Sequence, residues 1–215
     1  MPIELDNTSI NIKDGTDTFQ VETFKYYTYQ RDITETTSNL TAEPILKRLI
    51  HDFQVSSVSA GMYYTIFLYT NGKVYATGYN EYGQLGIGNT QDQYTLVPIP
   101  YFNDNNDIQI SAISAGSSHT IFLDDTTGKV YATGWNYYGQ LGIGNTQDQY
   151  TPVPIPYFND NNNIQISAIF AGGYQTIFLD TNGKLYATGN NGDGQFGNGQ
   201  LGIDNTQNQN TPVPI

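Results

Sequence analysis

Cysteine is absent from the 215-residue chain, which excludes disulfide frameworks, Cys-ligated structural zinc and thiol nucleophiles. Basic residues are scarce: eight Lys plus Arg stand against 20 Asp plus Glu, a formal net charge of −12. No basic run of five or more residues occurs. The chain therefore lacks the clustered Lys and Arg through which proteins bind phosphates and release counterions. No apolar run approaches the roughly 18 residues a membrane-spanning helix needs. The amino terminus, MPIELDNTSINIKDG, has neither a basic n-region nor an apolar h-region, so no secretory signal is expected. These absences predict a soluble intracellular protein with no nucleic-acid and no membrane partner. Nothing in them separates cytoplasm from nucleus.

What is abundant is glycine, at 22 residues, and tyrosine, at 18, and both are arranged in repeats. The string IFL recurs at 66–68, 121–123 and 177–179, each time followed by a turn and GK[VL]YATG. Lys73, Lys129 and Lys184 mark one position in each copy, 56 and 55 residues apart. The glycine of a Gly-Gln motif aligns at Gly83, Gly139 and Gly194 with the same spacings. The VPI tails begin at Val97, Val153 and Val213, so the last interval stretches to 60. We place the excess in 194–205, where the Gly-Gln-x-Gly loop is duplicated.

Each copy reads as short strands. Ile108, Ile110 and Ala112 alternate over 108–114, the period of a half-buried strand, and Thr120–Leu123 is β-branched and aromatic. Asn71-Gly72 and Asn182-Gly183 signal tight hairpins, and the middle copy carries a turn one residue longer, ending at Gly128. Lys129–Thr133 is the returning strand. The proline-rich stretch 151–156 predicts an extended edge, since proline cannot donate to a central ladder. Four short strands per repeat of about 55 residues predict a β-propeller.

The string Gly116–Thr120, then Gly128–Tyr131, Gly134–Asn136 and Gly139–Gly144 closely resembles the regulator of chromosome condensation repeat: G-x-x-H-[ST], a hairpin glycine, an aromatic before G-x-N, then GQLG. The resemblance covers about 53–215. The chain departs from it at the histidine, which is His119 only in the middle copy and Tyr64 and Gln175 in the others. It departs again at the aromatic before G-x-N, which is Thr77, Thr133 and Thr188. The resemblance implies a ring that typically closes at seven blades, whereas this length accommodates just under four. The expected fold is all-β, a propeller or partial, open propeller of three to four blades, with repeats near 53–107, 108–163 and 164–215. Residues 1–52 form an N-terminal segment read as a worn blade, with a hairpin around Phe19–Tyr29, or as a segment ending in a short helix over 44–51. An open fan would leave sheet edges bare, so the chain is a fragment, closes as a four-blade ring, or is completed by a second copy as a homodimer.

Several motifs invite chemistry. Gly192–Gly197 and Gly197–Gly202 match G-x-G-x-x-G, but that fingerprint binds a dinucleotide only between a strand and a helix. Here it lies in the repeat loop, and no cofactor is expected. His119 lacks a nucleophile and an orienting carboxylate in the sequence pattern and reads as a buried, bonded histidine. Asp92 and Asp148 sit at matching places while the third copy has Asn208. Asn103–Asp107 lacks the glycine and distal glutamate of a calcium loop. Lys73, Lys129 and Lys184 read as edge-protecting charges, and the sequons Asn7–Ser9 and Asn39–Thr41 as coincidental.

The candidate binding residues are aromatics of the repeat loops: Tyr79, Tyr82, Trp135, Tyr137 and Tyr138. The resemblance places them near a blade rim, where amphipathic rings anchor protein partners, stack on sugars or pack between blades. The function expected is a non-catalytic protein–protein interaction module with an unidentified protein partner. The resemblance adds a rival, guanine-nucleotide exchange on a Ran-type small GTPase, and the rings add another, carbohydrate binding. Docking on chromatin fits poorly, because 53–215 holds three lysines and no arginine against eleven acids.

Overall fold

The computed structural model describes the backbone of 9–14 and 17–22, and residues 54–215 apart from 105–106, 125, 161–163 and 193–198. The chain divides into two compact units, Met1–Asp52 and Phe53–Ile215. In the first, β1 (Ser9–Asp14) pairs antiparallel with β2 (Asp17–Glu22), Ser9 opposite Glu22 and Asp14 opposite Asp17. Of the 19–29 segment read as a hairpin, residues 19–22 lie in β2, whose partner is the earlier strand β1. The rest of the 19–29 reading, and the helix over 44–51, lie outside the described residues.

The second unit is built from three four-stranded antiparallel sheets, each a meander of neighbours in sequence. The first holds β3 (Val55–Ala60), β4 (Tyr64–Tyr69), β5 (Val74–Gly78) and β6 (Gln93–Pro98). The second holds β7 (Ala112–Ala115), β8 (His119–Asp124), β9 (Lys129–Gly134) and β10 (Gln149–Pro154). The third holds β11 (Ile166–Ala171), β12 (Gln175–Asp180), β13 (Leu185–Gly189) and β14 (Gln209–Pro214). These are propeller blades, and the sheets do not close on one another. The proline-bearing strands β6, β10 and β14 lie at sheet edges, where a missing N–H is tolerated.

Two details differ from the sequence reading. The inner strand of the second blade begins only at Ala112, although Ile110 is still buried. The prolines after the VPI tails open single helical turns, α1 (Pro100–Asn103) and α2 (Pro156–Asn159), the first-turn position where proline's fixed φ helps. Each turn drives a phenylalanine into the next blade. Phe102 lies 4.8 Å from Phe122 and 5.6 Å from Tyr131 between ring centroids, and Phe158 lies 4.8 Å from Phe178 and 5.5 Å from Tyr186. Asn103 then acts as a surrogate strand residue. Its Oδ1 accepts the Val74 N–H at 2.8 Å and its Nδ2 donates to the Val74 carbonyl at 3.0 Å, and Asn159 repeats this on Val130.

The core lies between blades. Tyr64, Ile66, Leu68, Val74 and Ala76 of the first face Phe122 and Tyr131 of the second. Ile121, Leu123, Val130 and Ala132 of the second face Ile169, Phe178 and Tyr186 of the third. Polar bonds cross the same seams. The Ala115 N–H donates to Ser59 Oγ at 2.9 Å and the Ala171 N–H to Ser114 Oγ at 2.8 Å. The Thr133 hydroxyl is shared between the Gln149 carbonyl of its own blade at 2.7 Å and the Gly83 carbonyl of the previous blade at 3.0 Å, and Thr188 repeats this on Gln209 at 2.7 Å and Gly139 at 2.8 Å. Gly83 has φ +76°, and a Cβ there would lie 2.6 Å from Tyr150 Cα of the next blade, so both conformation and space require glycine.

Candidate interaction surface

Each blade's loop is organised by one asparagine. Asn80 Oδ1 accepts the Leu85 N–H at 3.0 Å, Nδ2 donates to the carbonyls of Asn89 (2.9 Å) and Gln91 (3.2 Å), and its backbone N–H donates to Asp92 Oδ1 at 2.8 Å. Asn136 repeats the set on Leu141, Asn145, Gln147 and Asp148. Asn191 does so on Leu201, Asn205 and Asn208. This clamp corrects the alignment of the third copy. Its structural counterpart of Gly83 and Gly139 is Gly199, whose carbonyl accepts the Gly202 N–H as Gly83 accepts from Gly86 and Gly139 from Gly142. The clamp therefore spans five residues more in the third blade, from Asn191 to Leu201 rather than from Asn80 to Leu85.

With both feet of the loop fixed, the residues around the asparagine are displayed at one end of the blades. The Tyr82 N–H donates to Gln84 Oε1 and the Tyr138 N–H to Gln140 Oε1, both at 3.0 Å, which sets the turn that presents each ring. The five aromatics singled out in the sequence come together here. Tyr79 meets Tyr82 at 6.3 Å, Tyr82 meets Trp135 at 5.7 Å, and Trp135 meets Tyr138 at 5.5 Å. Tyr137 stacks on Trp135 at 6.0 Å with an interplanar angle of 11°.

Two further rings extend the chain. Tyr63 lies 6.2 Å from Tyr79, and Tyr174 lies 5.3 Å from Trp135 and 5.6 Å from Tyr138. Sequence reasoning missed both because it followed the G-x-N loop. Their signal was position, one residue before Tyr64 and Gln175, where the middle copy has Ser118. Seven rings thus run continuously over all three blades. Tyr63 and Tyr137 are each 67% exposed, so this is an outward surface as well as packing between blades.

The other candidates take structural places. His119 is fully buried, its Nε2 is 3.0 Å from Thr176 Oγ1, and burial lowers its pKa to about 4, so it is neutral at pH 7. Asp92 and Asp148 are loop acceptors, and partial burial raises Asp148. Gly199–Gly202 forms a loop turn followed by β14, without the helix a dinucleotide would need; most of Gly192–Gly197 lies outside the described residues. Among the described residues no group of three or more His, Cys, Asp or Glu is placed to hold a metal. None of their helices is long and apolar enough to cross a membrane. The lysines lie at the opposite end of the blades, where Lys73 Nζ donates to the Asn103 carbonyl and Lys184 Nζ sits 5.2 Å from the Tyr186 ring centroid.

Comparison with known proteins gives one family. Its sequence model, the regulator of chromosome condensation (RCC1) repeat, matches 71–123 and 127–179, and a second model of that repeat matches 55–84, 110–140 and 166–195. The ultraviolet-B receptor UVR8 of Arabidopsis thaliana is 35% identical over 162 residues, covering 75% of this chain and 34% of that protein. The regulator of chromosome condensation of Xenopus laevis is 33% identical over 144 residues, covering 66% of this chain and 32% of that protein. The chain thus spans about a third of these relatives' length. The crystal structure of Prp20p from Saccharomyces cerevisiae superposes with a TM-score of 0.60 at 20% identity, over 75% of this chain and 38% of that one, a likeness of fold.

Proposed function

We propose, from the premise that the chain belongs to the regulator of chromosome condensation repeat family, that it is a non-catalytic protein-interaction module whose contact face is the aromatic rim. One observation carries the reading: seven rings, contributed by three blades, form one connected and partly exposed surface. Tyr and Trp are the residues in which binding energy concentrates at protein interfaces, because they bury much area with few rotatable bonds. Tyr79, Tyr82, Trp135, Tyr137 and Tyr138 are the proposed contact residues, joined by Tyr63 and Tyr174.

The test is affinity capture from a eukaryotic lysate with the full chain and with the triple variant Tyr82→Ala/Trp135→Ala/Tyr138→Ala, after a thermal melt establishes that the variant folds. Proteins recovered by the wild type and lost by the variant support the rim as the contact face. An identical set recovered by both overturns it. A small GTPase among rim-dependent partners would bring the exchange reading forward to a nucleotide-release assay, and rim-dependent glycan binding would replace a protein partner by a sugar.

A further inference from the structure

The two ends of the blades carry different chemistry. Residues 53–215 contain three lysines and no arginine. Lys73 and Lys184 immediately precede β5 and β13, and Lys129 opens β9. The rim residues Tyr79 and Trp135 follow the far ends of β5 and β9. A strand of this length spans about 17 Å, twice the screening length of about 8 Å at physiological ionic strength. The rim therefore gains no positive potential from the lysines, and the one remaining basic group, His119, is buried and neutral.

The charged groups at the rim are carboxylates. Glu81 accepts the Tyr79 hydroxyl, and with Asp92 it helps hold that phenol up at about 12. The face of an aromatic ring is itself negative, because its quadrupole concentrates electron density there. Seven such rings stand beside two exposed acids, and residues 53–215 supply no cation near them, so the surface is electrostatically matched to a positive group from outside this unit. At the lysine end the corresponding demand is met internally, by Lys184 over Tyr186.

We propose that the rim receives an arginine side chain of a partner protein, with the guanidinium laid on the rings around Trp135 and the Glu81 and Asp92 carboxylates supplying counter-charge at the Tyr79 end. Arginine is favoured over lysine because its guanidinium is planar, weakly hydrated and stacks on aromatic faces while keeping its charge. The proposal rests on the contact-face reading above and names the chemistry of the partner.

Trp135 is the only tryptophan of the chain, so its emission reports from the centre of the rim. The full chain is titrated with short Gly/Ser peptides carrying two arginines, two lysines, or two citrullines, the neutral shape-mimic of arginine. The expected result is a saturable change in emission, with affinity for the arginine peptide at least about fivefold above the citrulline peptide and reduced by added salt. Glu81→Gln should narrow that gap. Tyr137→Ala, which removes an exposed ring stacked on Trp135, should weaken arginine binding without loss of fold. Equal affinity for arginine and citrulline peptides, or an emission unmoved by either, overturns the arginine proposal. Rim-dependent capture combined with that result leaves the contact face standing, whereas arginine preference with rim-independent capture does the reverse.

Discussion

The seam between the first and second blades and the seam between the second and third follow one plan with one substitution. Both have a phenylalanine driven in from a helical turn, a serine hydroxyl accepting a backbone N–H, and a ring from the G-x-x-H position reaching across. At the first seam the ring is the Tyr64 phenol, which donates to the His119 carbonyl and lies 3.1 Å from the Thr120 hydroxyl. At the second it is the His119 imidazole. The Thr176 hydroxyl is committed to the Gln140 carbonyl at 2.7 Å, so it accepts from His119 Nε2–H, which fixes the tautomer. Burial opposes ionisation of both, pushing the phenol up and the imidazole down. The slot selects a flat polar ring, and the identity of that ring decides whether the seam senses pH.

Four experiments break or sharpen this comparison. Phe102→Ala and Phe158→Ala should each cost about 3–5 kcal/mol in urea unfolding, because each empties a buried plug; a large disparity would show that the seams are not equivalent. The histidine seam should be the acid-labile one. The folded imidazole titrates near 4 instead of 6.5, so the unfolded state binds the extra proton between those values. Stability is full above pH 6.5 and falls by on the order of 3 kcal/mol as pH drops toward 4. His119→Gln, which installs the third blade's own residue, should flatten that decline in pH-dependent melts, and Tyr64→Phe should leave its slope unchanged. Ser59→Ala and Ser114→Ala, each leaving one N–H without its acceptor, should cost about 1–2 kcal/mol apiece and match each other in denaturation. The smallest effect belongs to deleting 194–198, which restores the loop length of the other blades. It should move the unfolding midpoint by less than about 1 kcal/mol, as loop closure depends only weakly on length.

Strand placement was legible because it rests on hydrophobic period and on glycine turns, and blade architecture followed from the repeat. The rim aromatics were legible for a related reason: Tyr79 with Trp135, and Tyr82 with Tyr138, recur at one repeat position, so a repeated fold brings them to one end. Three things were not. The turns carrying Phe102 and Phe158 are four residues each, too short to show a period. The third loop offers two Gly-Gln-x-Gly strings, and only the bond from the Leu201 N–H to Asn191 Oδ1 selects between them; spacing alone chose the wrong one. Tyr63 and Tyr174 belong to a different turn from the other rim rings, and only the packing of blades unites them.

The asparagine clamp has a practical consequence. Asn191 ties the chain before the third loop to Leu201 after it, so the number of residues between them is decoupled from the strands on either side. Nature has already lengthened that stretch once within this chain without changing the clamp. The same place is therefore a port for protein engineering, where an epitope, a fluorophore-binding peptide or a small reporter domain can be spliced between Gly192 and Gly199 at one end of the blades with the scaffold left as it is.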